Sequence, residues 1–194
     1  MIKALLLIVA PAWTWEHIAR ARRSIGFITF LYLAPTIALS LFAELAGHNY
    51  LVHWFAAGGA KTIPKDTALR SGEVQFGAGI VVAFVVARLI KLFSETFHNR
   101  NTYSQCFTVT AYALGPFYLI HVFAAIPVLS PWVPFLVGVS FSFVTLYHAI
   151  PLVLKPDPPH AFGLFLMSGI LLSLLCLLAR MAVLLILSGK VNSL

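Results

Sequence analysis

Five stretches of this chain stay apolar for the ~20 residues that a helix needs to cross a hydrocarbon core of ~30 Å at 1.5 Å per residue. They are Ile25–Ala46, Val74–Phe93, Gln105–Ile126, Trp132–Leu154 and Ala161–Leu187. The first holds one charge, Glu44, the second Arg88 and Lys91, and the last Arg180; His121 and His148 lie in the third and fourth. A helix satisfies its own backbone hydrogen bonds in lipid, which makes it the natural spanning element. A β-barrel would alternate apolar and polar residues over ~10-residue segments, whereas these runs are continuously apolar. Composition agrees: 60% of the residues are apolar and 10% charged, against ~45–50% and ~25% in ordinary soluble domains. The expected fold is all-α, an integral membrane bundle of five transmembrane helices over residues 25–187.

The connections support the division. His98 to Thr102 is a short polar turn, Pro127 to Pro131 a tight uncharged one, and Lys155 to His160 a proline-stiffened turn that no helix crosses. Gly47–Gly72 is longer. It begins with Tyr50, Trp54 and Phe55, which suit a membrane interface, and ends in a polar stretch carrying Lys61, Lys65, Asp66 and Arg70. Residues 1–24 read as a cytoplasmic amphipathic segment rather than a cleaved signal, because the Ala10-Pro11-Ala12 site comes too early. From Trp13 to Arg23 the pattern predicts a short interfacial helix, with Trp13, Ile18 and Ala21 toward lipid and Arg20, Arg22 and Arg23 toward headgroups. Residues 188–194 form a short tail.

The net charge of +7 is spread over the ends of the apolar runs, where basic residues meet anionic lipid, and there is no aromatic-and-basic groove of the kind that binds nucleic acid. With the N-terminus inside, eight lysines and arginines fall on the inner face (Lys3, Arg20, Arg22, Arg23, Arg88, Lys91, Arg100, Lys155) and four on the outer (Lys61, Lys65, Arg70, Lys190). That asymmetry predicts the N-terminus inside and the C-terminus outside. Cys106 and Cys176 belong near opposite faces, too far apart for a disulfide, and are expected as free thiols.

Several features invite a chemical reading. Small residues recur every fourth position at Gly79, Ala83 and Ala87, and in the pairs Ala34/Ala38, Ala111/Gly115 and Gly138/Ser142. Such stripes let helix backbones approach closely, within one chain or between subunits. Pro35, Pro116 and Pro151 each remove a backbone donor and free a carbonyl one turn earlier. Transporters use such breaks to bind substrates, but Ser and Thr hydroxyls can also repair them, and five spans cannot divide into two equal repeats. His48 and His53 lack the i, i+4 spacing of a helical metal pair. Ser140, Ser142 and His148 do not form a nucleophile with a partnered base, and no catalytic motif is present. Neither a metal nor a cofactor is expected.

Three ionisable residues belong at one depth. Glu44, His121 and Arg180 lie in runs that all head outward, at positions roughly 24–28 Å from the inner face at the helical rise. An arginine facing lipid there is costly, and Glu44 is the acidic residue available to it within the spans. The alternative is that Arg180 snorkels to the headgroups while Glu44 meets water at its helix end.

Several segments resemble the bacterial members of the Yip-domain family. Pro11-Ala12-Trp13-Thr14-Trp15-Glu16-His17-Ile18 looks like the family's P-x-x-x-W-x-x-I opening, and Tyr32-Leu33-Ala34-Pro35 fits the first span. Thr110-Ala111-Tyr112-Ala113-Leu114-Gly115-Pro116 resembles the A-Y-x-x-x-P element of the third. Tyr147-His148-Ala149-Ile150-Pro151, followed by a polar turn and Ala161-Phe162-Gly163, resembles the junction of the fourth and fifth. The resemblance implies five transmembrane helices with a cytoplasmic N-terminus, here in a bacterial inner membrane. Eukaryotic members act in trafficking with Rab-type GTPases through a longer N-terminal region, so GTPase binding is not carried over to about two dozen preceding residues. The expected function is non-enzymatic: a multi-pass protein that organises membrane or partner proteins through helix packing. Its partners would be the bilayer, a second copy or other membrane proteins. A small transporter or channel subunit is the alternative, on the strength of the prolines and the intramembrane ionisable residues.

Overall fold

A computed structural model describes residues 2–9, 11–21, 23–47, 65–96, 101–126 and 129–187, which are helical apart from short turns. Two short helices come first, α1 (Ile2–Val9) and α2 (Pro11–Ala21). Helix α3 (Ile25–Ala46) widens into a π-turn at Thr29–Leu33, just before Pro35. Then follow α4 (Lys65–Thr96), α5 (Tyr103–His121, tightening to a 3₁₀ turn at Val122–Ala125), α6 (Trp132–Ala149, widening to a π-turn at Ile150–Leu154) and α7 (Pro158–Leu187). Five of these, α3 to α7, are long and apolar enough to cross a membrane.

Helix boundaries run past the apolar runs where polar residues continue the helix. Helix α4 begins at Lys65 rather than Val74 and ends at Thr96 rather than Phe93, because hydropathy marks only the part meant for hydrocarbon. Helix α5 starts where Thr102 and Gln105 form a capping box, which satisfies two otherwise orphaned donors. The turn expected over Lys155–His160 is shorter. Lys155, in the left-handed conformation at φ 46°, ends the π-turn, and α7 starts at Pro158. Prolines fit a first turn because their missing N–H has no intrahelical partner there. The polar loop with His48 and His53, and the tail 188–194, lie outside the described residues.

The third span is the axis of the bundle. In its most apolar window 78% of residues are buried, against at most 44% in any other span. Its middle, Thr110 to Gly115, carries mostly small side chains and is buried on all sides, so neighbours can approach closely. Helices α3, α4 and α6 pack on it, and α7 packs along α4. The stripe Gly79, Ala83 and Ala87 is buried inside this bundle. A Cβ on Gly79 would stand 2.6 Å from the Tyr118 hydroxyl and 3.0 Å from Ile37, so glycine is what lets α3 and α5 close on α4.

Pro116 sits within this central helix. It cannot donate to the Tyr112 carbonyl one turn back, and its ring crowds that turn. The Tyr32 hydroxyl from α3 donates to the Tyr112 carbonyl at 3.3 Å. From α6, the fully buried Ser142 hydroxyl donates to the neighbouring Ala113 carbonyl at 2.9 Å. The Tyr32 ring packs at 4.3 Å on Tyr112, and Trp15 meets Tyr112 edge-on at 6.0 Å. Gly115 makes room, since a Cβ there would collide with the Tyr32 hydroxyl.

The N-terminal segment corrects one expectation. Trp13 and Ala21 face outward, but Ile18 is 3% exposed and Trp15 wholly buried. Helix α2 rests on α6 and its terminal π-turn, and α1 lies on α5, with Ala4 beside Gly115. Two large side chains one turn apart, Trp15 and Ile18, thus turn α2's apolar face to the bundle instead of to lipid.

If Tyr32 repairs the break at Pro116, Tyr32→Phe destabilises the protein by about 1–2 kcal/mol, the cost of a buried carbonyl left without a donor. On a Pro116→Ala background, where residue 116 regains its N–H, the same change costs much less. Unfolding titrations of the four chains in mixed detergent measure the difference, and equal costs in both backgrounds would refute the repair.

Candidate functional site: a buried charge cluster at one end of the bundle

Four spans each bring one polar side chain to the same end of the bundle. Glu44 lies in the last turns of α3, Gln75 in the first third of α4, His121 at the end of α5 and Arg180 near the end of α7. Chain direction explains the convergence: α3, α5 and α7 run one way and α4 runs back, so late positions in three helices meet an early position in the fourth.

The geometry centres on the Glu44 carboxylate. Arg180 Nη1 donates to its Oε1 at 2.9 Å. Gln75 Nε2 donates to Oε2 at 3.1 Å, and His121 Nε2 lies 3.5 Å from the same oxygen. Glu44 and Arg180 are each 7% exposed and His121 is 2% exposed, so Arg180 is turned inward rather than out to the headgroups. The His121 ring stacks on Phe117 at 5.8 Å, nearly parallel, which fixes its orientation. The formal charges of Glu44 and Arg180 cancel, and the carboxylate accepts from α4 and α7 with His121 of α5 beside it.

Beside the cluster lies a cavity of about 30 Å³, walled by Gln75, His121, Arg180, Tyr118 and Cys176 among others. That is room for a water molecule and too little for an organic solute. Among the described residues no three His, Cys, Asp or Glu side chains gather to hold a metal. Cys106 and Cys176 are both buried and free.

Of the residues singled out in the sequence, Glu44, His121 and Arg180 come together here. Tyr112 meets Tyr32 and Trp15 at the bundle centre instead, with Ala111 and Pro116 buried on the same helix. Tyr147 is exposed and packs edge-on against Phe165 of α7 at 5.6 Å, and Pro151 sits in the π-turn that ends α6. Ser142 is committed to the Ala113 carbonyl, and His148 Nδ1 lies 2.8 Å from the Val144 carbonyl of its own helix. Gln75 is the member that sequence reading misses. Its depth, an early position on a span that runs opposite to α3, α5 and α7, matches that of Glu44 and was available as a signal.

A buried ion pair stabilises little compared with an apolar pair, but removing one partner typically costs about 3–5 kcal/mol because the other charge is left uncompensated. Glu44→Arg alone is therefore expected to lower the melting temperature sharply in detergent. Glu44→Arg combined with Arg180→Glu recovers much of the loss. No recovery in the double variant would show that the two side chains do not stabilise each other.

In comparison with known proteins, the family model described as the Yip1 domain matches residues 5–181. No curated protein and no solved structure matches the chain.

Proposed function

We propose, from the premise that the chain belongs to the Yip1 domain family, that this multi-pass membrane protein acts without catalysis, organising itself or other membrane proteins by lateral helix packing. One observation carries the reading: five polar side chains of the bundle, Tyr32, Ser142, Glu44, Gln75 and Arg180, are engaged in holding its helices together. Tyr32 and Ser142 serve carbonyls of α5, and Glu44, Gln75 and Arg180 serve one another.

Packing surfaces remain on the outside. Of the small-residue repeats, those at Gly79, Ala111/Gly115 and Gly138/Ser142 are spent within the chain. The pair Ala34/Ala38 is not: Ala38 is exposed, and Phe30, Leu31 and Phe42 beside it are more than 60% exposed. A face of small residues flanked by large apolar ones suits close approach of another helix. The distribution of lysine and arginine supports a cytoplasmic N-terminus, and the family resemblance supports a bacterial inner membrane. The cavity at the charge cluster is too small for a solute, which weighs against a transporter.

The test is crosslinking in native membranes. Because both native thiols are buried, an Ala38→Cys chain carries one accessible thiol on the proposed face. Mild oxidation or a short bifunctional reagent is expected to give a discrete product, a dimer of the chain or a conjugate identified by mass spectrometry. Leu174→Cys, on the lipid side of α7, gives none. Purified chain in liposomes that carried a saturable solute flux, abolished by Pro116→Ala, would overturn the reading in favour of transport.

A further inference from the structure

At the end of the bundle opposite the charge cluster, a cleft of about 540 Å³ opens between α2, the start of α5 and the π-turn that ends α6. Three cations line it, each from a different part of the chain: Arg20 in α2, Arg23 in the connection to α3, and Lys155 after α6. Arg20 pairs with Glu16 at 3.5 Å, exposed on α2. Arg23 and Lys155 have no acidic partner among the described residues. The Arg23 guanidinium lies 4.4 Å from the centre of the Phe27 ring, a cation–π contact that orients it without neutralising it. Thr102, Ser104 and Gln105 add polar groups from the first turn of α5. Ile18, Leu152 and Val153 supply apolar walls.

Lys155 carries a second message. It is the one described non-glycine residue with positive φ, at 46°, a conformation that glycine adopts freely and a side chain with a Cβ does not. A glycine would end the π-turn with less strain, yet the position holds a cation directed to the cleft lining.

We infer that this cleft binds the phosphate headgroup of an anionic phospholipid from the leaflet bordering this end, with Arg23 and Lys155 as its principal ligands. Three observations fit that chemistry together. Two uncompensated cations face one space, which suits a phosphate. The volume lies in the range of small-molecule sites, enough for a headgroup with its glycerol. The walls turn from basic to apolar, as the ligand itself turns from phosphate to acyl chain, and basic pockets between membrane helices are known to take phosphate headgroups in this way. A free phosphate would use the cations but leave Ile18, Leu152 and Val153 without a role. In the orientation proposed above the leaflet is the cytoplasmic one, but the site does not depend on the lateral packing role.

The experiment is native mass spectrometry of the full chain in detergent, titrated with phosphatidylglycerol, with phosphatidylcholine and with inorganic phosphate. One phosphatidylglycerol is expected to be retained per chain, with phosphatidylcholine held at least tenfold more weakly. Arg23→Gln with Lys155→Gly weakens phosphatidylglycerol retention tenfold or more, whereas Arg88→Gln, an exposed cation outside the cleft, leaves it unchanged. Lys155→Gly alone is expected to keep or raise the melting temperature while losing affinity, which separates loss of the site from loss of the fold, and Lys155→Arg retains binding. Equal weakening by Arg88→Gln would reduce the effect to diffuse surface charge and overturn the site. Equal retention of phosphatidylcholine would remove the role of the cations. Tight binding of inorganic phosphate with no gain from the lipid would assign the cleft to a soluble anion and overturn the lipid assignment.

Discussion

A carbonyl without a donor costs several kcal/mol in hydrocarbon, and Pro116 creates one in the most buried helix of the bundle. Much of the packing follows from satisfying it. Tyr32 has to stand at the depth of Tyr112, which fixes how far α3 slides along α5. Residue 115 has to be glycine for the phenol to reach the carbonyl. Ser142 serves the next carbonyl, which fixes α6 from the other side. Helix α1 then closes over the same point with Ala4, and Trp15 covers the Tyr112 ring. A proline that would weaken an isolated helix instead sits where four other elements converge.

The charge cluster supplies the second fixed point along the same pair of helices. Tyr32 binds α3 to α5 at mid-bundle, and Glu44 binds α3 to His121 of α5, to α4 and to α7 near one end. Two separated points determine axial position and rotation, where greasy contacts alone would permit sliding, because lipid tails are as apolar as the helices themselves. Directional bonds thus do the specifying here that hydrophobic burial does in water.

The sequence makes the five spans legible because hydropathy over twenty residues leaves few alternatives once water is replaced by lipid. It also makes the level of Glu44, His121 and Arg180 legible, because helical rise converts position into depth. Rotation about the helix axis is not legible in the same way. Ile18 illustrates this: periodicity allows it to face lipid, and only the packing of Trp15 against Tyr112 decides that this face of α2 turns inward. Gln75 is hidden for another reason, since a glutamine one turn inside a span looks like an ordinary interface residue until its partner is placed. The proline-rich turn before α7 shows the limit of breaker rules, because proline stops a helix in its interior but suits its first turn.

The two ends of the molecule solve opposite electrostatic problems. At one end, a positive and a negative charge enter the bundle together, and each satisfies the other with help from Gln75, so the field they present outward is small. At the other end, Arg23 and Lys155 line a shared cleft without an acidic partner among the described residues. Lys155 is exposed and Arg23 half-buried, so neither charge needs a partner to be tolerated, and both stay open to an anion. Two cations beside one cleft, one of them at positive φ, fit the external anion inferred above. In a membrane the abundant partner of that sign and depth is the lipid phosphate, which is why the inferred ligand of this cleft is a lipid headgroup, supplied by the membrane in which the bundle sits.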